Sequence, residues 1–259
     1  MRVTFLGMCA NQTATHEAVS FIVDAGDYSI LIDAGPGVVR QILRARRFCT
    51  EIAHVLVTHI HGDHSLGFPY FVWNHFYEGM AGRKGPDTIH VYAFASVICG
   101  LNAMLDACYG SGKYPFSVTY HEVPQENAGE FEIGDISVRT VPVDHTVPNF
   151  GFRMDYIDRS LAYSSDTIYS DAFTELAHGV DLMIHEAFIT KEQIDFSRKV
   201  KHATAADAGN AAREATAGEL ALVHVYPPYL ERIQELIDEA RAQFSGEVYV
   251  PSELQVISV

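Results

Sequence analysis

The sequence predicts an α/β (α+β) chain in which sheets pack face to face with helices outside. Three observations carry that expectation. Strand-like and helix-like segments interleave throughout, two hairpins with Gly-Asp turns open the two halves of the chain, and the elements after each hairpin follow a similar order. At 259 residues, 48% hydrophobic and 20% charged, the chain has the composition of an ordinary globular protein and enough length for a substantial core. One domain over residues 1–259 is expected.

Met1-Arg2-Val3-Thr4-Phe5-Leu6 alternates as a strand does and lacks the long apolar core of a secretory signal. The first hairpin runs from Phe21 to Ile32 and turns at Gly26-Asp27; a helix is expected from Gly37 to Phe48, then a strand at Val55-Leu56-Val57. Arg40, Arg44, Arg46 and Arg47 read as a solvated face of that helix. Phe68 to Tyr77 is rich in aromatic residues, which serve either as core or as the wall of a substrate pocket. The apolar stretch from Val91 to Leu105 is too short for a membrane span and contains Asn102. The second hairpin runs from Phe131 to Val138 and turns at Gly134-Asp135. Strands then end at His145 and Asp166, helices are expected from Ala203 and Tyr229, and a strand lies at Leu220 to Val223.

A formal charge of -15 opposes unassisted binding to nucleic-acid phosphates, so a long polynucleotide is disfavoured as partner and a small anionic or ester substrate is not. Cys9, Cys49, Cys99 and Cys108 lie far apart without a Cys-x-x-Cys pair, which argues for reduced, mostly packed thiols. A soluble, cytoplasmic protein without a membrane partner is the resulting expectation.

The run Thr58-His59-Ile60-His61-Gly62-Asp63-His64 crowds metal-ligand side chains directly behind a strand. Packing alone does not explain such crowding, because these groups would need partners wherever they are buried, and a divalent cation supplies one to all of them. In extended chain, His59 and His61 point the same way and can hold one ion. Beyond a bend that Gly62 permits, Asp63 and His64 can reach a second. One loop cannot complete two coordination spheres, and three further strand ends offer ligands: His145, Asp166 and His224. His16, His54, His75, His90, His121 and His178 have no such context and read as structural.

This pattern resembles the metallo-β-lactamase fold superfamily, whose signature is His-x-His-x-Asp-His followed by a distant His, Asp and His. The match is His59, His61, Asp63, His64, His145, Asp166 and His224, and it spans most of the chain. The resemblance implies a four-layer αββα sandwich with the site at the sheet edges. It also implies one metal on His59, His61 and His145, another on Asp63, His64 and His224, and Asp166 between them. His185-Glu186-Ala187 and His202-Ala203-Thr204, with the segments His145 to Arg153 and Ser164 to Thr167, look like the ribonuclease Z branch, in which the glutamate and histidine pair beside the metals.

Departures from that branch are equally specific. The interval from His145 to Asp166 leaves no room for the long arm that grips transfer RNA, and Tyr226-Pro227-Pro228-Tyr229 follows the last ligand where Ser-x-Arg-Tyr is usual. Small phosphodiesterases and arylsulfatases of the branch are closer in length. The resemblance therefore implies a dinuclear zinc hydrolase of small or cyclic phosphodiesters, with manganese, iron or cobalt suited to the same donors. It further implies a bridging hydroxide as nucleophile, Asp63 to orient it, and His202, held by Glu186, as proton donor to the leaving alkoxide. The same metals could attack a carboxylic ester, lactone, thioester or aryl sulfate, and a non-catalytic, metal-stabilised binding domain is the third alternative. The resemblance allows a homodimer.

Overall fold

The computed structural model describes residues 1–110 and 114–259. The first half of the chain supplies β1 (Arg2–Gly7), β2 (Ser20–Ala25), β3 (Tyr28–Ile32), β4 (His54–Leu56), β5 (Thr88–Ala93) and β6 (Ser117–Glu122). The second half supplies β7 (Gly129–Ile133), β8 (Ile136–Val143), β9 (Asn149–Tyr156), β10 (Arg159–Tyr163), β11 (Leu182–Glu186), β12 (Glu219–Val223) and β13 (Glu247–Tyr249). The last strand, β14 (Val256–Ser258), returns to pair with β1.

These strands form two seven-stranded sheets, ordered β14-β1-β2-β3-β4-β5-β6 and β13-β12-β11-β10-β9-β8-β7. In the first sheet the pairs from β14 to β3 are antiparallel and those from β3 to β6 parallel. In the second, the pairs from β7 to β10 are antiparallel and those from β10 to β13 parallel. The two halves thus repeat one plan, as their element order led us to expect. Both hairpins turn where anticipated, and Gly26 and Gly134 each take a φ of 57°, a conformation that costs glycine nothing.

The sheets face each other through aromatic contacts such as Phe21 on Tyr163 and Tyr92 on Phe131. Residues of both belong to one buried cluster, in which Phe5, Phe21, Phe150, Phe152 and Tyr163 are all inaccessible. Hydrophobic burial on two facing sheets is the main stabilising term for this architecture. The helices are α1 (Val38–Arg44), α2 (Gly62–Ser65), α3 (Phe68–Met80), α4 (Ala95–Tyr109), α5 (Asp171–Leu176), α6 (Ile194–Val200), α7 (Ala205–Glu214) and α8 (Ile233–Arg241). They flank the sheets, giving the expected αββα sandwich.

Some local expectations need correction. The first helix stops at Arg44, because Arg46 turns left-handed at φ 58° and so cannot continue it. Arg40, Arg44 and Arg46 are exposed to solvent, as anticipated, although Arg40 also pairs with Glu17 and Arg44 with Glu253, and Arg47, beyond the helix, is half-buried and pairs with Asp24. Only two of the four cysteines, Cys9 and Cys49, are packed, whereas Cys99 and Cys108 on α4 are exposed. The apolar stretch at 91–105 divides between β5 and α4, and among the described residues no helix is long and apolar enough to cross a membrane.

Candidate metal centre

Strands β4, β11 and β12 run parallel to both neighbours and β10 runs parallel to β11, and the residues just beyond their carboxyl ends meet at one rim of the sandwich. His59 and His61 follow β4, Asp166 follows β10, Glu186 ends β11 and His224 follows β12. His145 follows β8 and joins them. Open sheets collect ligands at such ends because the loops there are free of the ladder while the strands hold them in place.

Two groups of donor atoms result, each drawn together within 4.8 Å: His59, His61, His145 and Asp166, and Asp63, His64, Asp166 and His224. Asp166 belongs to both. Its Oδ2 lies 3.6 Å from Nε2 of His59, 3.8 Å from that of His145, 3.4 Å from that of His64 and 3.1 Å from that of His224. His61 presents Nδ1 at 3.1 Å from His145 Nε2, and Asp63 Oδ2 stands 3.5 Å from His64 Nε2 and 3.4 Å from His224 Nε2. The bend anticipated at Gly62 is present and needs no left-handed conformation. Gly62 opens the short helical turn α2, which lifts Asp63 and His64 away from the extended His59 to His61 segment.

The donor set fits divalent cations. His59, His64 and Asp166 are buried, yet Nε2 of each histidine and Oδ1 of Asp166 have no hydrogen-bond partner among the described residues. Orphaned polar atoms at such depth are costly unless something binds them, and imidazole and carboxylate donors suit a transition-metal ion. Titration behaviour also marks the cluster. Burial, reinforced by the neighbouring His64, pushes His59 well below the ordinary histidine range. Burial alone would lower His64 and His224 too, but the surrounding carboxylates together outweigh it, Asp166 with Asp33 raising His64 strongly and Asp166 with Asp63 and Glu186 raising His224 to about 10. Burial would raise Asp166, and the His224 and His64 imidazoles instead hold it well below the carboxylate range.

A supporting network orients these donors. Asp33, just beyond β3, accepts from Thr58 N at 2.8 Å and from Thr58 Oγ1 at 3.1 Å, and its Oδ2 lies 2.8 Å from His64 Nδ1. Ser165 Oγ lies 2.8 Å from Thr58 Oγ1 and 2.9 Å from Asn149 Oδ1, while Asn149 Nδ2 donates to Asp166 O at 2.6 Å. His145 Nδ1 is 3.0 Å from Lys201 O. Bonds to Nδ1 leave the Nε2 lone pairs of His64 and His145 facing the cluster. Asp33, Ser165 and His224 all hold positive φ values, 56°, 54° and 55°, so three non-glycine residues carry backbone strain at this rim. Asp33 and Thr58 went unassigned in the sequence; the signal for Asp33 was an acidic residue closing a wholly apolar strand, Ile30-Leu31-Ile32.

Glu186 and His202 meet beside the second group. Both Glu186 carboxylate oxygens lie within 3.3 Å of His202 Nδ1, and Glu186 Oε1 also accepts from Thr167 N. The His202 ring is stacked on Phe188, with centroids 4.4 Å apart, and on His224 at 4.9 Å. A cavity of about 290 Å³ opens over the cluster, and His61, Asp63, Asp166, His202 and His224 line it together with Phe188, Tyr226, Pro227, Ala10 and Asn11. The aromatic segment at 68–77 does not contribute to this wall. It forms α3, where Phe68 and Phe71 enter the core and Trp73 stacks on Tyr109 of α4 at 4.7 Å. His16, His54, His75, His90, His121 and His178 lie outside the donor groups.

Comparison with known proteins agrees with the architecture. A curated Ribonuclease Z from Synechococcus sp. (strain CC9902) is 26% identical over 309 residues, covering 94% of this chain and 93% of the relative. That alignment is longer than this chain, so the relative carries segments with no counterpart here. The crystal structure of the metallo-β-lactamase fold protein YhfI from Bacillus subtilis superposes with a TM-score of 0.86 at 23% identity, covering 99% of this chain and 98% of that one. Human tRNase Z, short form, gives 0.83 at 23% identity, covering 100% and 99%. The family model described as "Beta-lactamase superfamily domain" matches residues 28–225, an interval that contains every donor from His59 to His224, and the chain belongs to that family.

Proposed function

We propose that the protein is a metal-dependent hydrolase of phosphodiesters, acting on small or cyclic diesters with two divalent cations, zinc foremost, on His59, His61, Asp63, His64, His145, Asp166 and His224. The observation that carries this reading is the Glu186–His202 pair, at 3.2 Å, whose His202 lines the same cavity as His61, Asp63, Asp166 and His224. A carboxylic ester, lactone or thioester expels its leaving group without demanding such a donor, whereas an alkyl phosphodiester needs one. The names of the curated relatives, Ribonuclease Z, support the same bond type. Both sheets contribute donors, so we take residues 1–259 as one catalytic domain. Four free thiols accord with a reducing, cytoplasmic setting.

Divalent cations held here would lower the pKa of a coordinated water and neutralise charge on the phosphoryl oxygens. The chain supplies the rest. Asp63 Oδ2 is committed to His64 and His224, while Oδ1 makes no hydrogen bond among the described residues and is placed to accept a proton from the attacking water. His202 has Nδ1 bound to Glu186, which leaves Nε2 to protonate the departing alkoxide. Phe188 and His224 both pack against its ring and against each other, with centroids 6.0 Å apart, so the donor is held before substrate arrives.

Metal analysis followed by turnover on bis(4-nitrophenyl) phosphate, a 2′,3′-cyclic nucleotide, an aryl sulfate, a lactone, a thioester and a precursor transfer RNA tests the reading. Diester turnover with little on lactone or thioester is expected. Preference for lactone or thioester would overturn it, and rapid transfer RNA cleavage would overturn the restriction to small diesters.

A further inference from the structure

The cavity over the donor cluster is lined by apolar groups, Phe188, Tyr226, Pro227 and Ala10, as well as by the donors. Phe188 and Tyr226 meet at 4.7 Å between centroids, and Phe196 of α6 continues the wall outward, 6.1 Å from Tyr226. Phe196 stands 40% exposed, as does its neighbour Ile194 at 41%, so the rim of the wall offers apolar surface to solvent. Among the described residues no lysine or arginine lines the cavity. Lys201 and Arg198, close in sequence to His202, are committed elsewhere: Lys201 Nζ bonds Asp144 at 2.6 Å, and Arg198 bonds both oxygens of Asp207. A polynucleotide is normally tracked by a row of cations along its phosphates, and the described lining of this cavity offers none. What the cavity can hold beyond the reacting phosphate is a single flat apolar group.

Its side of the phosphate follows from His202. The Phe188 ring lies against the imidazole, with centroids 4.4 Å apart and planes 18° from parallel. The wall therefore lies closer to the residue that protonates the departing oxygen than to His224, the neighbour of Asp63, whose ring centroid is 6.0 Å from that of Phe188. We infer that Phe188, Tyr226 and Phe196 form a leaving-group subsite, and that the substrates are small phosphodiesters whose departing alcohol carries an aromatic or similarly flat apolar ring. This rests on the phosphodiesterase reading and narrows it. In the step, water oxygen bonds to phosphorus as the bond from phosphorus to the ring-bearing oxygen breaks. Asp63 takes one proton from the water and His202 Nε2 gives one to the departing oxygen, leaving a phosphate monoester and an alcohol. Asn11, at the rim and without a side-chain hydrogen bond among the described residues, is left to meet the retained group.

Methyl 2-phenylethyl phosphate tests this directly, because its two alcohols differ little as leaving groups and either could depart. The metal-loaded protein should release 2-phenylethanol over methanol by about tenfold, the size of one good ring contact. Tyr226→Ala should bring the ratio towards one, and so should Phe196→Ala, whose exposed ring can be removed without disturbing the fold. Binding gives a readout independent of turnover: by calorimetry, phenylphosphonate should bind about tenfold tighter than methylphosphonate, and the gap should close in both variants. Equal release of the two alcohols, excess methanol, or equal binding of the two phosphonates overturns the subsite. If bis(4-nitrophenyl) phosphate is inert as well, the phosphodiesterase reading falls with it; if that diester is hydrolysed, only the subsite falls.

Discussion

Asp33 Oδ2 lies 2.8 Å from Nδ1 of His64, and the same carboxylate accepts two bonds from Thr58, so one buried acid ties the end of β3 to the histidine run. Asp33→Asn keeps the volume and tolerates the left-handed φ of 56° but loses the charge that fixes His64. Its cation affinity, measured by competition with a chromophoric chelator, should fall about 10–100-fold. Unchanged affinity would show that His64 needs no such anchor.

Cation loading should release protons. In the metal-free protein, burial would lower His224, but Asp166 with Asp63 and Glu186 outweighs it and raises it to about 10, while His64 also lies well above the ordinary range. Both imidazoles therefore hold protons at pH 7 that a coordinated ion must displace, so affinity rises with pH up to about 10 and falls as pH is lowered. Calorimetry of zinc binding in buffers of different ionisation enthalpy measures the release. Loading without proton release at pH 7 would contradict this protonation scheme.

His202→Ala should separate substrates by leaving group. Loss of the proton donor costs about 10²–10⁴-fold on alkyl diesters and much less on aryl diesters, whose phenolates depart unaided. A plot of rate against leaving-group pKa should be steep in the variant and shallow in the parent protein. Equal slopes would remove His202 from proton transfer.

Removing cations should also cost stability. A ligand present at a hundred times its dissociation constant stabilises the native state by about 2.7 kcal/mol. In a chain of this size that is several degrees of Tm, at roughly 2–4 °C per kcal/mol. Calorimetric scans with and without EDTA should show the shift, and zinc should restore it. Coincident scans would mean that the orphaned donors at His59, His64 and Asp166 are not filled by metal.

Thiol chemistry should divide the cysteines in half. Cys99 and Cys108 are exposed on α4 and should react quickly with a disulfide reagent in the native protein. Cys9 and Cys49 are buried, and burial pushes the Cys49 thiol up to about 12, so these two should react only on unfolding. Four fast thiols would mean a more open core than the sheets allow.

The donors were legible because their chemistry is local. Four ligand-type side chains in six residues after a strand cannot be read as ordinary packing, and His145, Asp166 and His224 share the same strand-end position. The repeated plan of the two sheets was visible in the hairpins, because a Gly-Asp turn between alternating apolar runs is a short-range signal. Both signals lie within one element and its flanks, and so survive without knowledge of the fold.

Other features depend on residues far apart in sequence. Asp33, Ser165 and Asn149 are common residue types that gain meaning only when β3, β9 and β10 bring them around Thr58. The aromatic segment at 68–77 had the composition of a pocket wall but formed α3, with Phe68 and Phe71 in the core and Tyr70 and Tyr77 exposed, while Phe188 and Tyr226, from the ends of two other strands, line the cavity instead. The sequence by itself determined the kind of chemistry and the layered sheets, because ligand identity and hydrophobic period are local properties of the chain. Only tertiary structure decided which apolar groups line the cavity, what packs against His202 and what anchors His64, because these are set by long-range contacts that no spacing encodes.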